Sequence, residues 1–160
     1  MRWLRHLFAP SARGRFPEDR LQRIAAAIAA SELDHGGEVV FAVESRLPLA
    51  ALWAGMTPGE RAREAFARLR VWDTDGNNGV LLYLLLADHA IELVADRGLH
   101  ACVSSQEWEQ VCAEVSSRLK AGDMERAVVE GIGAISTLLA RHFPAAGQAR
   151  DELPDRPVLL

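Results

Sequence analysis

Short, uninterrupted apolar runs alternate along this chain with longer stretches in which apolar residues recur every three or four positions. Residues 80–87 are apolar throughout. The run is too short to cross a bilayer, so it predicts a strand covered on both faces of a sheet. Val39-Val40-Phe41-Ala42-Val43, flanked by Glu38 and Glu44, predicts a second such strand. Residues 91–95 carry Glu92 in their middle and follow the central run after only Asp88 and His89, which predicts an antiparallel hairpin nearer the sheet edge. With residues 88 and 89 as the turn, Leu81 faces Asp96 and Val80 faces Arg97. The polar loop before the first strand of this hairpin and the polar segment after its second strand then meet at one end of the sheet.

The helical stretches announce themselves by caps as well as by period. Pro17 opens a helix with Glu18 and Asp19 in its first turn, and Leu21, Ile24, Ala25 and Ile28 form its apolar stripe until Asp34-His35-Gly36-Gly37 breaks the pattern. Thr57-Pro58-Gly59-Glu60 has capping-box spacing, and Ala62, Ala65, Phe66 and Leu69 follow on one face. Strand, helix and strand in that order predict a βαβ unit with parallel strands. Ser104 to Glu107 is a second capping box before a stripe of Trp108, Val111, Cys112, Val115 and Leu119. Gly122 ends that helix and Asp123 caps the next, which runs to Pro144. Gly131 and Gly133 each cost that last helix about 1 kcal/mol relative to Ala, which predicts a close approach to the sheet. Residues 47–56 show no period and read as irregular. The segment 145–160 is Pro-rich and ends in Val158-Leu159-Leu160, which suits either disorder or an extended strap with an apolar anchor. The expected fold is a compact α/β/α sandwich, with a mixed sheet built on a βαβ unit and a hairpin and flanked by about four helices. Residues 1–16 form a basic amphipathic segment, 17–143 the domain, and 144–160 the tail.

Composition narrows the function classes. With 160 residues, 49% hydrophobic and 25% charged, the chain suits one domain with a proper core. A net charge of −4 and a pI near 5.7 argue against a dedicated nucleic-acid binder. Cys102 and Cys112 have no metal or redox spacing and read as reduced core residues. No stretch is suited to span a membrane, and the N-terminus lacks the h-region and cleavage site of a signal peptide, so a cytoplasmic location is expected. Trp3, Leu4, Leu7 and Phe8 fall on one helical face beside Arg2 and Arg5. Packing of that face on the domain, or fraying of the segment, is the favoured expectation, and weak contact with a membrane surface is the alternative.

The candidate chemistry lies at the polar end of the sheet. Glu32, His35 and Glu38 precede the first strand, Asp73, Asp75, Asn77 and Asn78 precede the central one, and Asp96 and Arg97 follow the third. Carboxylate and amide oxygens brought together are hard ligands, suited to calcium, magnesium or manganese. Asp73, Asp75 and Asn77 alternate as in an EF-hand loop, but the sixth position is Asn78 rather than Gly and the twelfth is Leu84 rather than Glu. Any metal site must therefore draw on separate segments. Taken alone, these residue types equally suit a tight turn that binds nothing. No phosphate loop, serine elbow, zinc motif or Cys-His nucleophile spacing is found.

Asn77-Asn78-Gly79-Val80-Leu81-Leu82, Arg97-Gly98-Leu99, the Trp108 helix, and Gly122-Asp123-Met124 running on to Gly131-Ile132 resemble the TPM-domain family over residues 17–143. Ser31-Glu32 with His35 and Glu38, Arg70-Val71-Trp72-Asp73-Thr74, His142-Phe143-Pro144 and Glu152-Leu153-Pro154-Asp155 resemble a cytosolic bacterial branch of it. The resemblance implies an α/β sandwich and three kinds of role. The favoured one is an accessory or regulatory module that binds a divalent cation, calcium before magnesium or manganese, through Asp73, Asp75, Asn77, Asn78 and Asp96. Glu32, His35, Glu38 and Arg97 then stand behind those ligands. The alternatives are a metal-assisted acid phosphatase and a non-catalytic scaffold for a membrane-associated protein partner.

Overall fold

A computed structural model describes residues 1–145 and 152–160. Its four strands are β1 (Glu38–Glu44), β2 (Gly79–Leu85), β3 (Ala90–Ala95) and β4 (Val158–Leu159). They form one sheet in the order β3-β2-β1-β4, with β1 parallel to both β2 and β4 and β3 antiparallel to β2. The helices are α1 (Arg2–Leu7), α2 (Ala12–Arg15), α3 (Glu18–Glu32), α4 (Leu49–Trp53), α5 (Pro58–Arg68), α6 (Arg97–His100), α7 (Ser105–Lys120) and α8 (Met124–His142).

Every residue of β1 and β2 is buried. Alternate side chains feed two cores, which is why these strands read as continuous apolar runs rather than as an alternation. Val39, Phe41, Val43, Val80, Leu82 and Leu84 pack with Leu21, Ile24 and Ile28 of α3 and with α7 and α8. On the opposite face Val40, Ala42, Leu81, Tyr83 and Leu85 pack with Ala62 and Ala65 of α5, with Leu47 and Val71, and with Leu153 of the tail. The layers are thus α/β/α. Both capping boxes form, at Thr57/Glu60 and Ser104/Glu107, and Asp123 caps α8 through the Arg126 N–H. Gly122 ends the preceding turn at φ +95°, a conformation in which a side chain is strained.

Several details depart from the sequence reading. The hairpin pairs Val80 with Ala95 and Leu81 with Val94, two residues away from the expected register. Its turn takes in residues 86–89, because the Leu86 and Ala87 N–H groups donate to Glu44 O and Ser45 O, and His89 closes the turn onto Leu86 O at φ +51°. Residues 49–53, without an amphipathic period, still form α4, and none of them is buried. Gly131 does mark a close approach: a Cβ there would lie 2.6 Å from Val115 of α7 and 3.5 Å from Leu82. Gly133 faces open space, so its cost has no packing return. The end of the chain is a strap rather than a loose tail. Leu153 is buried, β4 pairs with the carboxyl half of β1, and the Leu160 N–H donates to Val43 O at 3.0 Å.

Candidate functional site

Parallel pairing brings the starts of β1 and β2 to one end of the sheet, and the loop before β2 is tied there by its backbone. Asn77, at φ +49°, folds the turn back so that its N–H donates to Thr74 O and its carbonyl accepts from the Gly98 N–H at 3.0 Å. The buried Thr74 accepts the Asn78 N–H through Oγ1 at 3.2 Å. Asn78 then binds the segment before β1, donating its amide to Gly36 O at 2.6 Å and accepting the Glu38 N–H at 3.3 Å. On the other side the Asp96 N–H donates to Gly79 O at 2.9 Å. Gly98 sits so close to the turn that a Cβ there would strike the carbonyls of Asn77 and Gly76. The three segments therefore meet.

Their acidic and amide side chains do not all turn the same way. Asp96 and Asn78 are buried. Asp96 Oδ1 caps α6 through the Arg97 N–H at 2.6 Å, while Asp96 Oδ2 and Asn78 Oδ1 are buried and have no partner among the described residues. Asp73, Asp75, Asn77 and Arg97 are exposed. Asp73 forms an ion pair at 2.7 Å with Arg70, whose guanidinium also lies over Trp72, and the Asp75 N–H donates to the Glu152 carboxylate at 3.0 Å. Among the described residues no three His, Cys, Asp or Glu side chains are grouped so as to hold a metal ion. Asp96 Oδ2 and Asn78 Oδ1, the unpartnered oxygens here, are of the hard type that calcium and magnesium take.

Glu32, His35 and Glu38 serve the architecture of this end. His35 is wholly buried, and its Nδ1 lies 3.2 Å from Gly37 N and 3.0 Å from Gly37 O, while its backbone bridges to Pro144. Burial lowers its pKa, so the ring fastens the turn in its neutral form. Glu32 Oε1 accepts the Val39 N–H at 2.8 Å. Burial, with the negative charges of Glu38 and Asp155 nearby, pushes its carboxyl up to about 8. Glu38 accepts the backbone N–H groups of Glu152 and Leu153, each at 3.2 Å, and so clasps the strap to β1. Sequence reading missed that clasp, although a Glu at the head of an apolar strand was its visible signal.

The carboxyl ends of β1 and β2 hold groups that sequence reading did not single out. Glu44 accepts two bonds from Arg61, at 2.8 and 2.9 Å, and one from the Tyr83 hydroxyl at 2.6 Å, with all three residues buried. Burial first, and then the Glu44 carboxylate, push the Tyr83 hydroxyl above the usual phenol range. Nearby, the buried His6 of α1 accepts the Leu47 N–H at Nδ1 and sets Nε2 3.2 Å from Asp88, which also pairs with Arg2 at 2.7 Å. Helix α1 therefore docks by its polar side. Its apolar face, expected against the domain, points away from it, with Trp3, Leu4, Leu7 and Phe8 all more than half exposed.

These layers, and a polar loop end tied by backbone bonds, define a mixed-sheet α/β/α sandwich. The model of the TPM domain matches residues 12–138, and the chain belongs to that family. It is also similar to the BA42 protein from the psychrophilic bacterium Bizionia argentinensis, solved by NMR. The two chains are 26% identical, the match covers 88% of this chain and 92% of that one, and the TM-score is 0.77. No curated protein matches the chain.

Proposed function

We propose that this TPM domain is a binding module whose loop end takes one divalent cation, calcium in preference to magnesium or manganese, and thereby orders the surface offered to a protein partner. The observation that supports the reading is Asp96: a buried carboxylate with one oxygen unpartnered, held against the turn that carries Asn77 and Asn78. A buried carboxylate oxygen without a partner is costly, and a cation relieves the cost. In this reading Asp96 and the Asn78 amide oxygen are the fixed donors, and the exposed Asp75 and Asn77 complete the set. Asp73 has first to leave Arg70. Calcium is favoured because it accepts carboxylate, amide and carbonyl oxygens in irregular geometry, whereas magnesium demands a near-ideal octahedron.

The same reading makes the module accessory rather than hydrolytic. A phosphatase would need Arg97 for the phosphate and a nucleophile with a base, yet Asp73 is held by Arg70 and His35 is buried in a turn. A cytoplasmic location and a membrane-associated partner belong to this reading, and the two free thiols of Cys102 and Cys112 suit a reducing compartment. Calcium and magnesium titrations followed by amide NMR test it on the wild type and on Asp96→Asn, since Asn can still cap α6. The expected result is saturable shifts confined to residues 74–79 and 95–99, lost in the variant. A wild type that shows none at millimolar calcium refutes the cation reading.

A further inference from the structure

The large apolar side chains that the fold leaves in solvent are concentrated at the end of the sheet opposite the loop. Trp3, Leu4, Leu7 and Phe8 of the α1 region and Leu49 and Trp53 of α4 are between 51% and 77% exposed. The two groups are continuous, since the Trp3 and Trp53 rings meet edge to face with centroids 5.8 Å apart. Residues of both helices line one open groove with Arg46 and Leu160. A surface helix ordinarily buries its apolar side. Here Arg2 and His6 hold α1 to Asp88 and Leu47, so the orientation is fixed by buried polar contacts rather than by loose packing.

Charge identifies the occupant. Residues 1–17 and 45–59 contain five arginines and no Asp or Glu, within a chain of net charge −4. Arg2 is consumed by Asp88, whereas Arg5, Arg13, Arg15 and Arg46 are exposed and form no ion pair among the described residues. The acidic groups beside these segments have partners: Asp88 in Arg2 and His6, Glu44 in Arg61 and Tyr83, Glu18 in Arg156, and Glu60 in the Thr57 cap. Exposed Trp, Leu and Phe beside the unpaired Arg5 of α1 and Arg46 of the groove are the composition of an interfacial anchor, with indoles at headgroup level and guanidinium groups on lipid phosphates.

We propose that α1 and α4 together form a peripheral docking surface for an anionic lipid bilayer. The surface carries the whole domain flat on the membrane, with the loop end of the sheet facing away. The proposal is independent of the cation reading, because the two sites share no residue. Sedimentation of the full chain with vesicles tests it, comparing pure phosphatidylcholine with mixtures containing phosphatidylglycerol. The expected result is binding to the anionic vesicles alone, weakened when salt is raised because salt screens contacts between exposed charges. Leu4→Ser with Trp53→Ser is expected to weaken it about tenfold or more, and Arg5→Glu with Arg46→Glu to weaken it comparably. All four positions are exposed, and circular dichroism establishes that each variant is folded. No binding of the wild type at millimolar anionic lipid overturns the proposal, as does binding that survives both double variants. A concentration-dependent dimer that Leu4→Ser with Trp53→Ser abolishes, without vesicle binding, assigns the surface to a second copy of the chain instead.

Discussion

The two ends of the sheet solve the same problem, covering the exposed ends of parallel strands, with opposite materials. At the amino end the loop before β2 is stitched to its neighbours by backbone groups, as in Gly98 N–H to Asn77 O and Asp96 N–H to Gly79 O, and Asp73 and Asp75 are left outward. At the carboxyl end the stitching is done by polar and charged side chains, buried Glu44 with buried Arg61 and part-buried Asp88 with Arg2 and His6, and apolar side chains are left outward. The difference shows that which residues a surface presents depends on what the fold has already used to hold it. A loop secured largely through its backbone leaves Asp73 and Asp75 at the surface. A helix secured through its polar side leaves Trp3 and its apolar neighbours in solvent.

The largest loss of stability is expected at the carboxyl end. Arg61→Leu leaves the buried Glu44 carboxylate with only the Tyr83 hydroxyl, and the expected loss of stability is about 3–5 kcal/mol by chemical denaturation. A loss below 1 kcal/mol shows that water reaches Glu44 and that this end is not sealed. At the amino end the corresponding test is Gly98→Ala, whose Cβ meets the Asn77 and Gly76 carbonyls. It is expected to cost about 2 kcal/mol and to shift the amide resonances of residues 76–79 in particular.

A pH dependence sharpens the role of the strap. The Glu32 carboxyl is pushed up to about 8 in the folded protein, chiefly by burial, from an unfolded value of 4.5. The native state therefore holds a proton that the unfolded chain has lost. Its contribution to stability is complete below pH 4.5 and disappears as pH rises through about 8. The expected decline between pH 5 and 8.5 is about 1 kcal/mol once screening of this half-buried group is allowed for. Glu32→Gln, which is neutral at every pH, should flatten the melting temperature over that range; an unchanged slope assigns the decline to another group. The smallest effect belongs to the exposed pair. Asp73→Asn, which removes the ion pair with Arg70, should change stability in metal-free buffer by about 0.5 kcal/mol or less. A larger loss in thermal melts makes Asp73 part of the architecture rather than of the surface.

Much of the fold was legible because it rests on local rules. The apolar runs at 39–43 and 80–87, the capping boxes at Thr57 and Ser104, and the glycine stop at 122 each carry their own signal, and the right-handed crossover rule aligned β1 with β2. What failed were positions whose partners are remote in sequence. The hairpin register moved by two residues because Leu86 and Ala87 bond to Glu44 and Ser45. The expected site was legible as a meeting of three segments, but not in which of its side chains turned inward: Asp96 and Asn78 did, whereas Asp73 and Asp75 did not.

Local rules settled the long strands and helices, the α/β/α layering and the end of the sheet where the acidic loop gathers, since periodicity, caps and chain connectivity act over a few residues or through a fixed handedness, while α4 formed without such a signal. How the two ends are finished was settled by tertiary contacts. They put the polar side of α1 against Asp88 and Leu47, the strap onto β1 through Glu38, and Glu44 between Arg61 and Tyr83. Those outcomes follow from burying charge. A carboxylate drawn out of water is stabilised by donors wherever the chain can supply them, and Asp88 finds them in Arg2 and His6 of α1.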